Sequence, residues 1–277
     1  MIEFFYNLPV WLITIGVLSL SLLVGLGTSY GLRHAFRLHS SDDETESAVS
    51  LMQVVAAYIG ILIAFAGVQV WQDFADADNG VHKEAATAAQ LYRDMATYGP
   101  ETLAARAQLR AYTNSIVTDE WPLLAKGQTS DRTDTALFEL FDSIGKVRPK
   151  DGRDTAIYTE VFHNLNELVE LRRDRLIHSD SGMPLILWIV GLVGSMLIVA
   201  YTATFPRSRT NALMIGGISI ALGLVFLFIL IVDRPFMGSF SVSNAELAGL
   251  NQKFDSLDRL SAQAGTSGDQ AEMSAPR

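Results

Sequence analysis

Apolar and polar positions are sharply segregated along this 277-residue chain. Four stretches contain no Asp, Glu, Lys or Arg: Phe4–Leu32, Ala48–Gln72, Ser181–Pro206 and Thr210–Val232. A helix needs about 20 apolar residues to cross the hydrocarbon core of a bilayer, and every one of these stretches is longer. The pattern therefore predicts four transmembrane helices. The first is expected to be a retained span rather than a signal peptide: its apolar region is long, no Lys or Arg precedes it, and no clean small-x-small cleavage site follows.

The polar region between the second and third spans, residues 73–180, has helical periodicity. In "KEAATAAQLYRDMATY" the apolar positions Ala85, Ala88, Ala89, Tyr92 and Met95 recur near every 3.6 residues, and Gly99-Pro100 ends the pattern. Leu103, Leu109, Tyr112, Ile116, Val117 and Trp121 share the next face. A short segment, "DTALFELFDSI", precedes a long one in which Ile157, Val161, Leu165, Leu168 and Arg172 keep amphipathic spacing. No turn residue lies between Val70 and Ala77, so the second span is expected to leave the membrane as one continuous helix.

The predicted fold is an all-α membrane protein, with a helical-bundle extramembrane domain inserted between spans 2 and 3. Residues 1–47 hold the first transmembrane helix and a short basic loop, and 48–72 the second helix. The extramembrane domain takes 73–180, and 181–232 carry the third and fourth helices. Residues 233–277 form a C-terminal segment expected to be disordered after about 265.

Charge and composition narrow the function. The net charge of −9 argues against nucleic acid, which requires a basic footprint. With no cysteine, thiolate metal sites and cysteine nucleophiles are excluded. No phosphate-binding glycine loop, HExxH or G-x-S-x-G is present. The histidines (His34, His39, His82, His163, His178) never fall at i, i+3 or i+4 spacing. No catalytic residue, metal or cofactor is expected, so the chain is not read as an enzyme. Glu84, Glu120, Glu160, Glu167 and Glu170 stand among Lys and Arg on predicted helices, a pattern of solvated faces with occasional ion pairs. The short loops carry Arg33, Arg37, Arg207 and Arg209, which places them in the cytoplasm and both termini and the helical domain outside.

The second span holds the most informative pattern. Gln53, Ala57, Gly60, Ala64, Gly67 and Trp71 recur at intervals of four and three residues, making one helical stripe that is small in its middle. Such a stripe is either a seam where helices approach closely or a face toward a shared passage. Gly27 and Gly31, Ser219 and Gly223, and the patch Gly191, Gly194 and Ser195 repeat the small-residue habit. No ionisable group lies inside a span, which disfavours proton-coupled transport.

The order of these elements resembles the bestrophin-like domain family of bacterial membrane proteins. The residues that carry the resemblance are "VWQDFADAD" followed by Val81, Lys83, Glu84 and Ala85; "LYRDM" (91–95); and Tyr112, Val117, Asp119, Glu120, Trp121 and Pro122. "LRRDRL" (171–176), "MPLILW" (183–188) and "DRPFMG" (233–238) follow in order, over about residues 48–250. Bestrophins are oligomeric anion channels whose second span lines the pore. The resemblance thus implies a homo-oligomeric ion channel in the bacterial plasma membrane, with lipid and small ions as partners. The alternative is a non-conducting, membrane-anchored protein whose helical domain binds a partner.

In "VDRPFMG", Asp233 and Arg234 end the fourth span, Pro235 prevents its continuation and Phe236 suits the headgroup region. Asp73 and Asp76 are the expected partners for an interfacial ion pair with Arg234 or Asp233. The polar region carries 19 Asp and Glu against 13 Lys and Arg over residues 73–180, an excess that concentrates cations near a pore mouth.

Overall fold

The computed structural model describes residues 8–37 and 41–273; His39 lies outside them. Among the described residues the fold is all helical. Helix α1 spans Val10–Ala35 and α2 Asp42–Tyr98; α3 spans Leu103–Ser115 and runs through a π-helical segment, Ile116–Glu120, into the single turn α4, Trp121–Leu124. Helix α5 follows at Asp131–Gly145, α6 at Gly152–Asp180, α7 at Leu185–Tyr201 and α8 at Arg209–Val232. The short α9, Ala245–Ala248, and α10, Leu250–Met273, end the described chain. Four helical segments are long and apolar enough to cross a membrane, and the protein is a multi-pass membrane protein.

The chain divides into two compact units. The first takes residues 1–75 and 181–241, and the second 76–180 and 242–277. Helix α2 contributes to both: inside hydrocarbon its backbone groups are paired only by staying helical, and it continues unbroken through Asn79-Gly80.

In the first unit, small residues set how closely the spans approach. A Cβ added at Gly25 would overlap Ser219 Oγ, and one at Gly223 would lie 2.5 Å from Ser21 Oγ, so α1 and α8 meet backbone to side chain at two levels. Gly194 likewise admits Ile59 of α2. By contrast, a Cβ at Gly27 or Gly31 would meet nothing within 4 Å. Arg33 closes the end of the bundle by donating to the carbonyls of Ala203, Thr204 and Phe205, which helix geometry leaves unpaired at a C-terminus.

The second unit is built on the periodic faces of the sequence. Ala85, Ala88, Tyr92 and Met95 of α2, Leu109, Tyr112 and Ile116, and Val161, Leu165 and Leu168 of α6 are all buried. Two corrections to the sequence reading follow. Glu84 and Glu120 are not solvated; both are fully buried, whereas Glu160, Glu167 and Glu170 are exposed. Arg175 Nε donates to Glu84 at 2.6 Å, and Arg172 Nε to Glu120 at 3.1 Å, while Arg172 Nη2 reaches Asp134 at 2.6 Å. Arg175 Nη1 lies 2.9 Å from Glu120, near enough for attraction but off the axis of a hydrogen bond. Burial, and then the Glu84 charge, push the Tyr112 phenol well above its ordinary pKa.

The second correction concerns residues 242–273, which join the helical unit. Val242, Leu247, Leu250 and Phe254 are buried there. Phe254 stacks on Tyr92 at 4.2 Å, and Asp258 accepts from Tyr92 Oη (2.6 Å), Arg106 (2.9 Å) and Arg110 (3.0 Å). Helix α10 is described as far as Met273.

Removing one partner of a buried pair strands a charge in low dielectric. Glu84→Leu should therefore lower unfolding stability by about 3–5 kcal/mol. Thermal unfolding followed by tryptophan fluorescence checks this, since Trp121 lies beneath Arg175 at 5.7 Å.

Candidate functional site

At 3.6 residues per turn the second span, residues 48–72 of α2, presents three faces. The first packs inside the unit: Ile63, Ala66 and Val70 form a core with Ile229 and Val232 of α8, joined by Ile59, Phe74, Met183, Trp188 and Phe226. The second is a broad apolar face of Val54, Tyr58, Ile61, Phe65 and Val68, each more than half exposed, as suits contact with lipid.

The third face is the small-residue stripe, and the structure treats its two ends differently. Gln53, Ala57, Gly60 and Ala64 are exposed, and a Cβ at Gly60 would meet nothing within 4 Å. A Cβ at Gly67 would touch the Phe228 ring at 3.7 Å. Trp71 stacks on Phe74 and Phe228, with centroids 6.1 and 6.5 Å away. The upper stripe is thus drawn into an aromatic cluster within the unit. The lower stripe contacts no other span of its own chain at Gly60, so a seam inside this bundle does not explain it. The seam lies instead on α7 and α8, at Gly191, Gly194, Ser219 and Gly223.

Sequence reasoning stopped the stripe at Gln53. The continuous helix carries the same face back through Glu46 and Asp42, seven and eleven residues earlier, and both are exposed. The signal was available: the 3.6 period extends across the boundary between apolar and acidic residues, at which the stripe was cut.

The interfacial charges are placed as follows. Asp233 accepts from the Met183 N–H at 2.6 Å, and Arg234 donates to the Ser181 carbonyl at 3.2 Å, so both hold the entry to the third span. Asp73 accepts from Gln69 Nε2 of its own helix at 2.8 Å. Asp76 is exposed and belongs to the second unit. Burial raises the Asp233 pKa, and the Asp73 charge adds to that rise against the Met183 N–H and Arg234. Asp73 therefore acts on Asp233 as a like charge. Among the described residues, no group of three or more His, Cys, Asp or Glu is placed to hold a metal ion.

Packing predicts opposite outcomes for two glycines of this bundle. Gly194→Ala overlaps Ile59 and should lower the thermal midpoint in detergent. Gly60→Ala meets open space and gains about 0.5–1 kcal/mol of helix stability in the protomer.

Comparison with known proteins bears on the fold. A crystal structure of a bacterial bestrophin homolog from Klebsiella pneumoniae matches with a TM-score of 0.68 at 14% identity, over 88% of this chain and 98% of that one. A second structure of that homolog gives 0.67 at 14% identity, over 91% and 99%. A crystal structure of a membrane protein gives 0.66 at 15% identity, over 88% and 98%. Identities this low establish a shared fold. No curated protein matches the sequence. The bestrophin-like domain model matches residues 19–247, most of the chain: the protein belongs to the bestrophin-like family.

Proposed function

We propose that this protein is a homo-oligomeric ion channel of the bacterial plasma membrane. Second spans from several copies surround a common axis and turn Gln53, Ala57, Gly60 and Ala64 toward it. The observation that carries this reading is the bareness of the lower stripe in the protomer: Gln53, Ala57, Gly60 and Ala64 are exposed, and a Cβ at Gly60 would meet nothing within 4 Å. The packed edge of the same helix, at Ile63, Ala66 and Val70, lies about a third of a turn away. Membership of the bestrophin-like family supports the same conclusion. The short loops with Arg33, Arg37, Arg207 and Arg209 face the cytoplasm on the positive-inside rule, and the helical unit lies outside.

The charge pattern favours cations. Asp42 and Glu46 continue the stripe beyond the apolar segment, so a ring of second spans carries a ring of carboxylates at that mouth. Such a ring raises local cation concentration and repels anions.

Two measurements test the proposal. The mass of the detergent-solubilised protein, corrected for bound detergent, should correspond to a ring of several copies; Gly60→Leu should then abolish ion flux in reconstituted vesicles. A monomer or dimer would contradict the pore and leave an anchored interaction protein. Asp42→Asn with Glu46→Gln should lower the cation-to-anion permeability ratio several-fold, read from reversal potentials in a salt gradient.

A further inference from the structure

The first unit contains a cavity of about 260 Å³, walled by α1, α7 and α8 and distinct from the stripe on α2. The two close contacts already described, Gly25 with Ser219 and Gly223 with Ser21, hold α1 and α8 together. Helix α7 does not close the space beside them. Along α1 the wall runs from Leu20 to Thr28, about 12 Å of helix, and on α7 from Leu192 to Val199. The cavity is therefore a narrow slot lying along the spans.

Three observations identify what fills it. The mouth is bordered by Leu20, Val24, Leu192 and Met196, all exposed large apolar residues in the interior of spans that carry no charge, so it opens into hydrocarbon. Two hydroxyls of the wall differ: that of Ser219 donates to the Ile215 carbonyl at 2.7 Å, whereas that of Ser195 is buried without a hydrogen-bond partner, one polar atom in an otherwise apolar lining. Its section admits a single extended hydrocarbon chain, whereas a helix from a second copy, about 10 Å across, does not enter. Left empty, the slot would forfeit the dispersion contacts of its walls, and an apolar cavity of this kind does not take up water.

We propose that the slot is a binding site for one acyl chain of a bilayer phospholipid, held between α1, α7 and α8. The chain completes the packing that α7 leaves open and so sets the spacing of α7 from α1. The headgroup takes no part, so binding follows chain length rather than lipid charge.

A phosphatidylcholine with a diazirine in the middle of one chain tests this in reconstituted vesicles, with labelled residues mapped by mass spectrometry. Label should appear on the inward-facing Ser21 and Thr28, which are half-buried, and unlabelled lipid should compete it away. Val24→Phe, which plugs the mouth, should reduce that labelling several-fold. Leu23→Phe, on the 70% exposed neighbouring position, should leave it unchanged. Gel filtration confirms that both variants remain folded. Label confined to outward residues such as Leu23 and Leu213, as a neighbouring copy's side chain in the slot would produce, overturns the proposal. Inward label unaffected by Val24→Phe overturns it equally.

Discussion

Inside hydrocarbon a backbone has no partner but itself, and this constraint organises the whole chain. It obliges the second span to remain helical across the hydrocarbon, and the same helix then runs on through Asn79-Gly80 to Tyr98. One rod of 57 residues therefore serves two solvents in succession. Through residue 75 its buried face is cut to fit neighbouring spans. Beyond that its buried face carries Ala85, Ala88, Tyr92 and Met95 into the core of the helical unit.

The two halves of that rod are held by different physics. Between spans there is no hydrophobic driving force, so contact depends on close approach, and Gly25, Gly194 and Gly223 permit it where side chains would collide. In the helical unit apolar burial is available, yet two Arg and two Glu stand in its centre. A buried ion pair adds little net stability because both charges are desolvated. What the Glu84–Arg175 and Glu120–Arg172 pairs do provide is registry: they join α2, the π-helical segment and α6 at a single geometry. The π-helical segment ends at Glu120, where the carboxylate turns inward to Arg172.

Much of this was legible in the sequence, and the rest failed for identifiable reasons. Uncharged length announced four spans, and 3.6-residue periodicity announced the faces of α2, α3 and α6, including Arg172 on an otherwise apolar stripe. Glu84 and Glu120 were misread because a carboxylate among basic residues looks the same whether it is solvated or paired in a core; only the fold brings Arg175 to Glu84, 91 residues away. The C-terminal segment was set apart because its partners, Tyr92, Arg106 and Arg110, lie about 150 residues upstream. The stripe's periodicity was visible, but its bareness was not, since exposure at Gly60 is a property of where α7 and α8 choose to pack.

In the proposed channel the small-residue stripe faces a water-filled axis shared by several copies. A chain without cysteine allows that to be tested one position at a time. The most direct measurement is the rate at which a charged, water-soluble thiol reagent modifies Ala64→Cys and Phe65→Cys in reconstituted protein. Fast modification at 64 and none at 65 is the predicted result. Equal protection at both positions would mean that the stripe meets protein or lipid, and would contradict the account.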